Sequence, residues 1–270
     1  MAYNLLKGKK GILFGALDES SIAWKTAEHV YAEGGQFLLS NAPIALRMGK
    51  IGELAKKCKT EVVPADASSR EDLGKLMDTA KEKYGKVDFI LHSIGMSPNI
   101  RKNKPYEDLD YDFYFKTLDI SAISLHKIIH EAYTRDLLAQ GASIVSLTYI
   151  AAQRIFSKYS DMADAKALLE SITRSWGARL GAKGVRVNTV SQSPTVTTAG
   201  SGIAGFDALY AYAEKMSPLG NASSDECADV IVALFSDLTR KITMQNIFND
   251  GGFSATGVSD AIVGMMKEDK

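Results

Sequence analysis

Gly11-Ile12-Leu13-Phe14-Gly15-Ala16-Leu17-Asp18-Glu19-Ser20-Ser21-Ile22-Ala23 reads as a buried strand, a tight turn and the start of a helix. The apolar run Gly11–Phe14 ends on Gly15. Ile22, Ala23, Thr26, Ala27 and Val30 then recur at the spacing that lines one helix face. A glycine at a strand end lets the main chain approach a pyrophosphate, and the helix behind it offers unpaired N–H groups and a partial positive charge. Ser20 or Ser21 can cap that helix or donate to a phosphate. Of the three glycines common in dinucleotide turns only Gly15 is present, so the turn alone equally describes a structural glycine before a capped helix.

Working outward, the same unit repeats. Short apolar runs lie at Gly11–Phe14, Phe37–Ser40, Val62–Ala65, Phe89–Ser93, Ile144–Leu147, Val185–Val190 and Ile242–Phe248, mostly separated by helix-length patterns. Strands that are apolar throughout and alternate with helices predict an α/β fold: a doubly wound Rossmann-type domain with a seven-stranded parallel sheet and helices on both faces. No repeat, low-complexity tract or Pro/Ser-rich linker marks a boundary, so residues 1–270 are expected to form one domain. The segment at about 194–216 begins polar and Gly-rich and turns amphipathic around Phe206–Tyr212. It is expected to form a loop and short helices over a site, an ordinary surface connection being the alternative.

Composition narrows the function classes. Lys plus Arg and Asp plus Glu are equal at 32 each, so charge points to neither nucleic acid nor an anionic membrane. Cys58 and Cys227 lie far apart without ligand-like spacing, which argues against a disulfide framework or a metal site and for reduced thiols. The N-terminal apolar run is too short for a secretory signal, and no run of roughly eighteen apolar residues exists to insert in a membrane. A cytoplasmic protein is expected.

Ser40-Asn41-Ala42-Pro43 follows the second strand, where an acid often holds a ribose. Neither a carboxylate nor a basic pair for a 2′-phosphate is present there, although Arg47 lies a turn further on. NADH is the expected cofactor, with NADPH left open. Asp66, after the third strand, can accept from an adenine amino group or cap the helix after Asp66-Ala67-Ser68-Ser69.

Tyr159-Ser160-Asp161-Met162-Ala163-Asp164-Ala165-Lys166 opens a helical stretch. Seven helical steps come to roughly 700°, about 20° short of two turns, which puts Tyr159 and Lys166 on one face about 10 Å apart along the axis. Lys166 can reach back toward the phenol, and a cation there favours the phenolate form. With 11 tyrosines in the chain, such a pair alone carries little.

Context changes its weight. Tyr149 stands ten residues before Tyr159, and the Gly15…Ser21-Ile22-Ala23 turn, His92-Ser93-Ile94-Gly95, Val185-Arg186-Val187-Asn188, Ala199-Gly200-Ser201-Gly202-Ile203 and Asp250-Gly251-Gly252-Phe253-Ser254 occur in order from residue 8 to about 257. In this combination the chain resembles the enoyl-acyl-carrier-protein reductases of bacterial fatty-acid synthesis, a divergent branch of the short-chain dehydrogenases. It departs from them at Gln192-Ser193-Pro194-Thr195, where Ala-Gly-Pro-Ile is usual, at Val196, where Arg or Lys is frequent, and at Asn41-Ala42-Pro43.

The resemblance implies reduction of the 2,3 double bond of an enoyl thioester carried on acyl carrier protein, by hydride from NADH, with charge building on the thioester oxygen. It assigns the donor at that oxygen to Tyr159, a supporting role to Tyr149, and the ribose hydroxyls to Lys166. It places Gly15, Ser21 and Ile22 on the pyrophosphate, Ala42 on the adenosine side, and Asp66 with Ala67 on the adenine. Ile94 falls near the cofactor, Thr195, Val196, Thr197, Thr198 and Ala199 around the nicotinamide amide and phosphates, and Ser97 on the substrate. It also implies a homotetramer. Ile203, Phe206, Leu209 and Tyr210 suit a cover over an acyl chain, core packing being the alternative, and His92 is expected to be a satisfied buried histidine.

Two other readings remain. A carbonyl-reducing short-chain dehydrogenase such as a 3-oxoacyl reductase usually spaces Tyr and Lys by four, with a serine about a dozen residues upstream; here the spacing is seven, and Ser146 precedes Tyr159 by thirteen. A non-catalytic dinucleotide-binding protein would keep the fold without the chemistry.

Overall fold

Because each apolar run is long enough for one buried strand and too short for a helix, the chain pairs these runs side by side and sends the amphipathic segments over the faces. The computed structural model describes residues 2–268 apart from Ser157, Ala199, Ile203 and Ala204. In chain order the elements are β1 (Lys10–Phe14), α1 (Ile22–Ala32), β2 (Gln36–Ser40), α2 (Pro43–Met48), α3 (Ile51–Lys57), β3 (Glu61–Val62), α4 (Arg70–Tyr84) and β4 (Val87–His92). There follow α5 (Pro98–Arg101), α6 (Tyr111–Leu118), a π-helical turn (Asp119–Ile123), α7 (Ser124–Thr134), β5 (Leu138–Thr148) and α8 (Ser160–Leu180). The last are β6 (Arg186–Gln192), α9 (Phe206–Met216), α10 (Ser224–Phe235), β7 (Asn246–Asn249) and α11 (Asp260–Glu268).

All seven strands join one parallel sheet in the order β3-β2-β1-β4-β5-β6-β7. Alternate residues of each strand feed two cores. Ile12, Phe14, Leu38, Ile90 and Ile144 pack under α4, α7 and α8, whereas Leu13, Leu39, Phe89, Leu91 and Val145 pack under α1 and α10. Phe89 stacks on Phe235 with ring centroids 4.8 Å apart.

Three strands differ most from expectation: β5 starts at Leu138, ahead of the apolar run that begins at Ile144, and the third and seventh are shorter than their runs. The third is Glu61–Val62; past it the chain stays beside β2 only through the bonds from Val63 N to Leu39 O and from Ala65 N to Asn41 O, with Pro64 between them on the open edge. The seventh begins at Asn246, because Met244 turns left-handed at φ 59° and breaks the extended run begun at Ile242. The segment after β6 is a loop that leads through a short 3₁₀ turn (Gly200–Gly202) into α9, whose Phe206, Ala213 and Met216 are buried.

Candidate active site

A cleft of about 690 Å³ opens at the carboxyl ends of the strands. It lies where the order reverses between β1 and β4, the position at which open α/β sheets bind ligands. Gly15, Ala42, Asp66 with Ala67, Ile94 and Ser97, Tyr149, and Thr195 reach it from the ends of β1 to β6 in turn.

At the β1 turn, Gly15 has φ +100°, and a Cβ there would lie 1.9 Å from the carbonyl oxygen of Ser93. The glycine is therefore demanded by the β4 crossing, a reason the strand-turn-helix pattern does not reveal. Ser21 precedes α1, but its hydroxyl accepts from the N–H groups of Leu17 and Asp18 and donates to Asp18 O. It closes the turn, and no side chain caps the helix. The Ser21 N–H donates to Asp18 O, which leaves the uncapped N–H of Ile22, at the start of α1 and beside the cleft, to fit a dinucleotide pyrophosphate.

Asp18 lines the same turn. Burial works to raise its carboxyl, but hydrogen bonds from the Ser20 and Thr198 side chains and from the Ser20 and Ser21 main chain outweigh it and lower the group. The Thr198 hydroxyl donates 2.6 Å to Asp18, and Thr198 N donates to Ser20 Oγ, so the loop after β6 is tied to the β1 turn. Thr195 and Thr197 line the cleft with Thr198. Val196 does not: it faces away and is 58% exposed. Ala199 lies outside the described residues.

At the adenosine side, the Asn41 amide is consumed by Ala16 O and Ala42 N, which presents Ala42, Ile44 and Ala45 to the cleft. Arg47 is exposed and absent from the lining. Asp66 does not cap α4; Ser69 does, accepting from Asp72 N. Asp66 Oδ1 instead accepts from Ser68 N and Oγ, leaving Oδ2 for the cleft.

At the other side, Tyr159 is the residue before α8, and Lys166 stands two turns in. Both line the cleft, as does Tyr149, whose ring centroid is 5.0 Å from that of Tyr159. Burial raises both phenols well above neutral pH, so both are protonated donors. The Tyr149 hydroxyl has no partner among the described residues. Lys166 donates to Leu147 O at 2.8 Å, and burial lowers its ammonium to about 8 against an opposing contribution from Glu170. His92 sits between Ser146 Oγ (3.0 Å) and Ser124 Oγ (2.8 Å), and burial, then the Lys166 charge, drive it to about 3. It is a satisfied neutral histidine of the core, as expected.

Ser97 lines the cleft but spends its hydroxyl elsewhere: it caps α5 by accepting from Ile100 N and donates 2.6 Å to Asp161 Oδ1. Asp161 is fully buried, and its Oδ2 accepts from Asn99 Nδ2 and Thr117 Oγ1. This acid lies inside the Tyr159–Lys166 stretch, yet its three partners are distant in sequence, so periodicity gave no sign of it. Asp18, Arg101, Lys116 and Gln192 are further lining residues that the sequence reading passed over.

Fold and cleft together define a Rossmann-type α/β protein with a dinucleotide-sized site and a paired tyrosine and lysine beside it. The chain belongs to the enoyl-(acyl carrier protein) reductase family, whose model matches residues 15–254. It is 31% identical over 256 residues to "Enoyl-[acyl-carrier-protein] reductase [NADH] 2" of Rhizobium meliloti, covering 94% of each chain. Among solved structures, it is similar to the FabI–NADH complex of Alistipes finegoldii, with 61% identity, a TM-score of 0.95, and coverage of 96% of this chain and 92% of that one. The Aquifex aeolicus enoyl-[acyl-carrier-protein] reductase (NADH) gives 31% identity and a TM-score of 0.87, with 94% of this chain and 99% of that one covered.

Proposed function

We propose that this chain, as a single Rossmann-type domain, reduces the 2,3 double bond of enoyl thioesters carried on acyl carrier protein, using NADH, as the last step of a fatty-acid elongation cycle. The observation that carries this reading is the presence of Tyr159 and Lys166, at the head of one helix, in the same cleft as the uncapped start of α1. NADH, when bound, supplies hydride.

The chain's own groups do the rest. The main-chain N–H of Ile22 receives the pyrophosphate with Ser21 beside it, and Asp66 Oδ2 accepts from the adenine. The Lys166 ammonium has protons to spare beyond its bond to Leu147 O and holds the ribose hydroxyls. The Tyr159 phenol donates to the thioester oxygen as negative charge gathers there, the point at which a preorganised donor lowers the barrier most. Tyr149, packed against it, keeps water from that oxygen and adds a second donor. Phe206 and Leu209 on α9 cover the acyl chain.

NADH is favoured over NADPH because Arg101, Lys116 and Lys166 are the lining cations among the described residues, and none follows β2. A homotetramer is the assembly that we favour, since Tyr111, Phe115, Ile123 and Tyr133 of α6, the π-helical turn and α7 leave large apolar side chains exposed. Among the described residues, no helix is long and apolar enough to cross a membrane. We place the protein in the cytoplasm, in keeping with the buried free thiols of Cys58 and Cys227.

A carbonyl reductase is disfavoured by Ser146, which is fully buried, bonded to His92 and absent from the cleft lining. The test is NADH consumption with crotonyl against acetoacetyl thioesters. Oxidation is expected with crotonyl alone. Turnover of acetoacetyl alone would make the protein a carbonyl reductase, and tight NADH binding without turnover of either would make it a binding protein.

A further inference from the structure

Three cations stand where α5 ends and α6 passes the cleft. Arg101 closes α5, Lys102 follows it, and Lys116 lies in α6. Among the described residues, the side chains of these three form no ion pair, whereas the neighbouring Lys104 is held by Asp108 at 3.3 Å. Lys102 Nζ lies over the Phe113 ring, 4.2 Å from its centroid. Phe113 and Lys116 are three apart on α6 and share a face, so Lys116 stands on the side where Lys102 and Arg101 approach. Arg101 and Lys116 line the cleft itself.

The nearby carboxylates are committed elsewhere. Asp119 is held by Lys127, Asp164 by the hydroxyls of Tyr106 and Tyr114, and Asp110 caps α6. Glu107 and Asp112 do not line the cleft. The lining acids Asp18 and Asp66 follow β1 and β3, away from α5 and α6. One side of the cleft therefore offers two uncompensated, solvent-exposed cations next to apolar Ile100 and Met162.

We infer that Arg101 and Lys116 form a subsite for the phosphate of a phosphopantetheine arm, the group through which the acyl thioester enters. This rests on the enoyl thioester reading above. A guanidinium fork and an ammonium suit a phosphate, and the arm must leave the cleft with its thioester at Tyr159 and its phosphate at the rim. Both cations are exposed, so the gain is moderate and salt-sensitive.

Crotonyl-4′-phosphopantetheine and crotonyl-pantetheine differ by that one phosphate, and kcat/KM for each is measured at saturating NADH. Wild type prefers the phosphorylated thioester about tenfold. The preference falls to about 1 in R101Q/K116Q, to an intermediate value in each single variant, and also as salt rises. K116E carries it below that of K116Q. A wild-type ratio near 1, or an unchanged ratio in the double variant with a native melting profile, overturns the subsite. Consumption of no NADH with either thioester overturns the reductase reading first, and the subsite with it. Enoyl-CoA and enoyl-acyl carrier protein then separate the two natural carriers: a variant loss with the carrier protein well beyond that with CoA would assign the cations to the protein's surface and overturn the phosphate subsite.

Discussion

Lys166 Nζ donates 2.8 Å to the main-chain oxygen of Leu147, which joins the head of α8 to the end of β5 beside Tyr149 and Tyr159 of the cleft. The bond holds the ammonium in a buried place, and burial lowers it to about 8 from 10.5. At pH 7 the charged form still leads by about ten to one. Below about pH 8 the buried charge therefore burdens the folded state. Between there and 10.5 the burden lifts, because the unfolded chain keeps a proton that the folded chain has released. The stability of wild type relative to Lys166→Met should rise with pH across that window in urea unfolding series. NADH affinity should fall over the same range and stay level in Lys166→Arg. A stability difference that is flat with pH would contradict the placement of Lys166.

Tyr149 and Tyr159 should separate by what their hydroxyls now do. Tyr159→Phe removes the hydroxyl proposed as donor to the thioester oxygen and should lower kcat by about 10²–10³ while leaving the Kd for NADH unchanged. Tyr149→Phe removes a buried hydroxyl without a partner among the described residues, so the free protein should gain up to about 1–3 kcal/mol as kcat falls by a smaller factor. Steady-state kinetics, NADH fluorescence titration and thermal melts check all three. Loss of NADH affinity in Tyr159→Phe would move that residue from the donor role to cofactor binding.

The sheet was legible because a fully buried strand must be apolar throughout and a crossover helix must keep one apolar face; both are local patterns. The errors at the sheet's edges have local causes of another kind. Ile242 belongs to the last apolar run, but the left-handed Met244 turns the chain before pairing begins, and nothing in the residue type announces it. In the cleft, Tyr159, Lys166 and Ser21 were found through their spacing and context. Val196 was assigned by position in a loop, where one residue's rotation decides which way a side chain faces. Asp161 and Arg101 were missed because their meaning lies in Ser97, Asn99, Thr117 and the α6 rim, which only the fold brings near.

Gly15→Ala tests whether the turn glycine serves the fold or only the cofactor. A methyl group there meets Ser93 O at 1.9 Å, in a backbone conformation of φ +100° that L side chains rarely adopt. Overpacking and backbone strain together should cost roughly 2–6 kcal/mol, so β1 must shift from β4 even without cofactor. The melting temperature of the cofactor-free protein should drop by several degrees. If that temperature holds and only NADH binding weakens, the glycine acts through the pyrophosphate alone.

Asp161 positions Tyr159 from two residues away. Its carboxylate gathers Ser97, Asn99 and Thr117, fastening the first turn of α8 to α5 and α6, and the intervening Ser160 is held left-handed at φ 44°. Asp161→Ala leaves buried donors unmet at about 1–3 kcal/mol each, so stability should fall. With Tyr159 loosened, kcat should fall while KM for NADH changes little. Asp161→Asn should recover most of both, since an amide oxygen in the place of Oδ2 still accepts from Asn99 Nδ2 and the Thr117 hydroxyl, while the amide nitrogen in the place of Oδ1 donates to a rotated Ser97 hydroxyl. An Asp161→Asn protein as impaired as Asp161→Ala would show that the negative charge, rather than the hydrogen-bond geometry, sets the phenol's position.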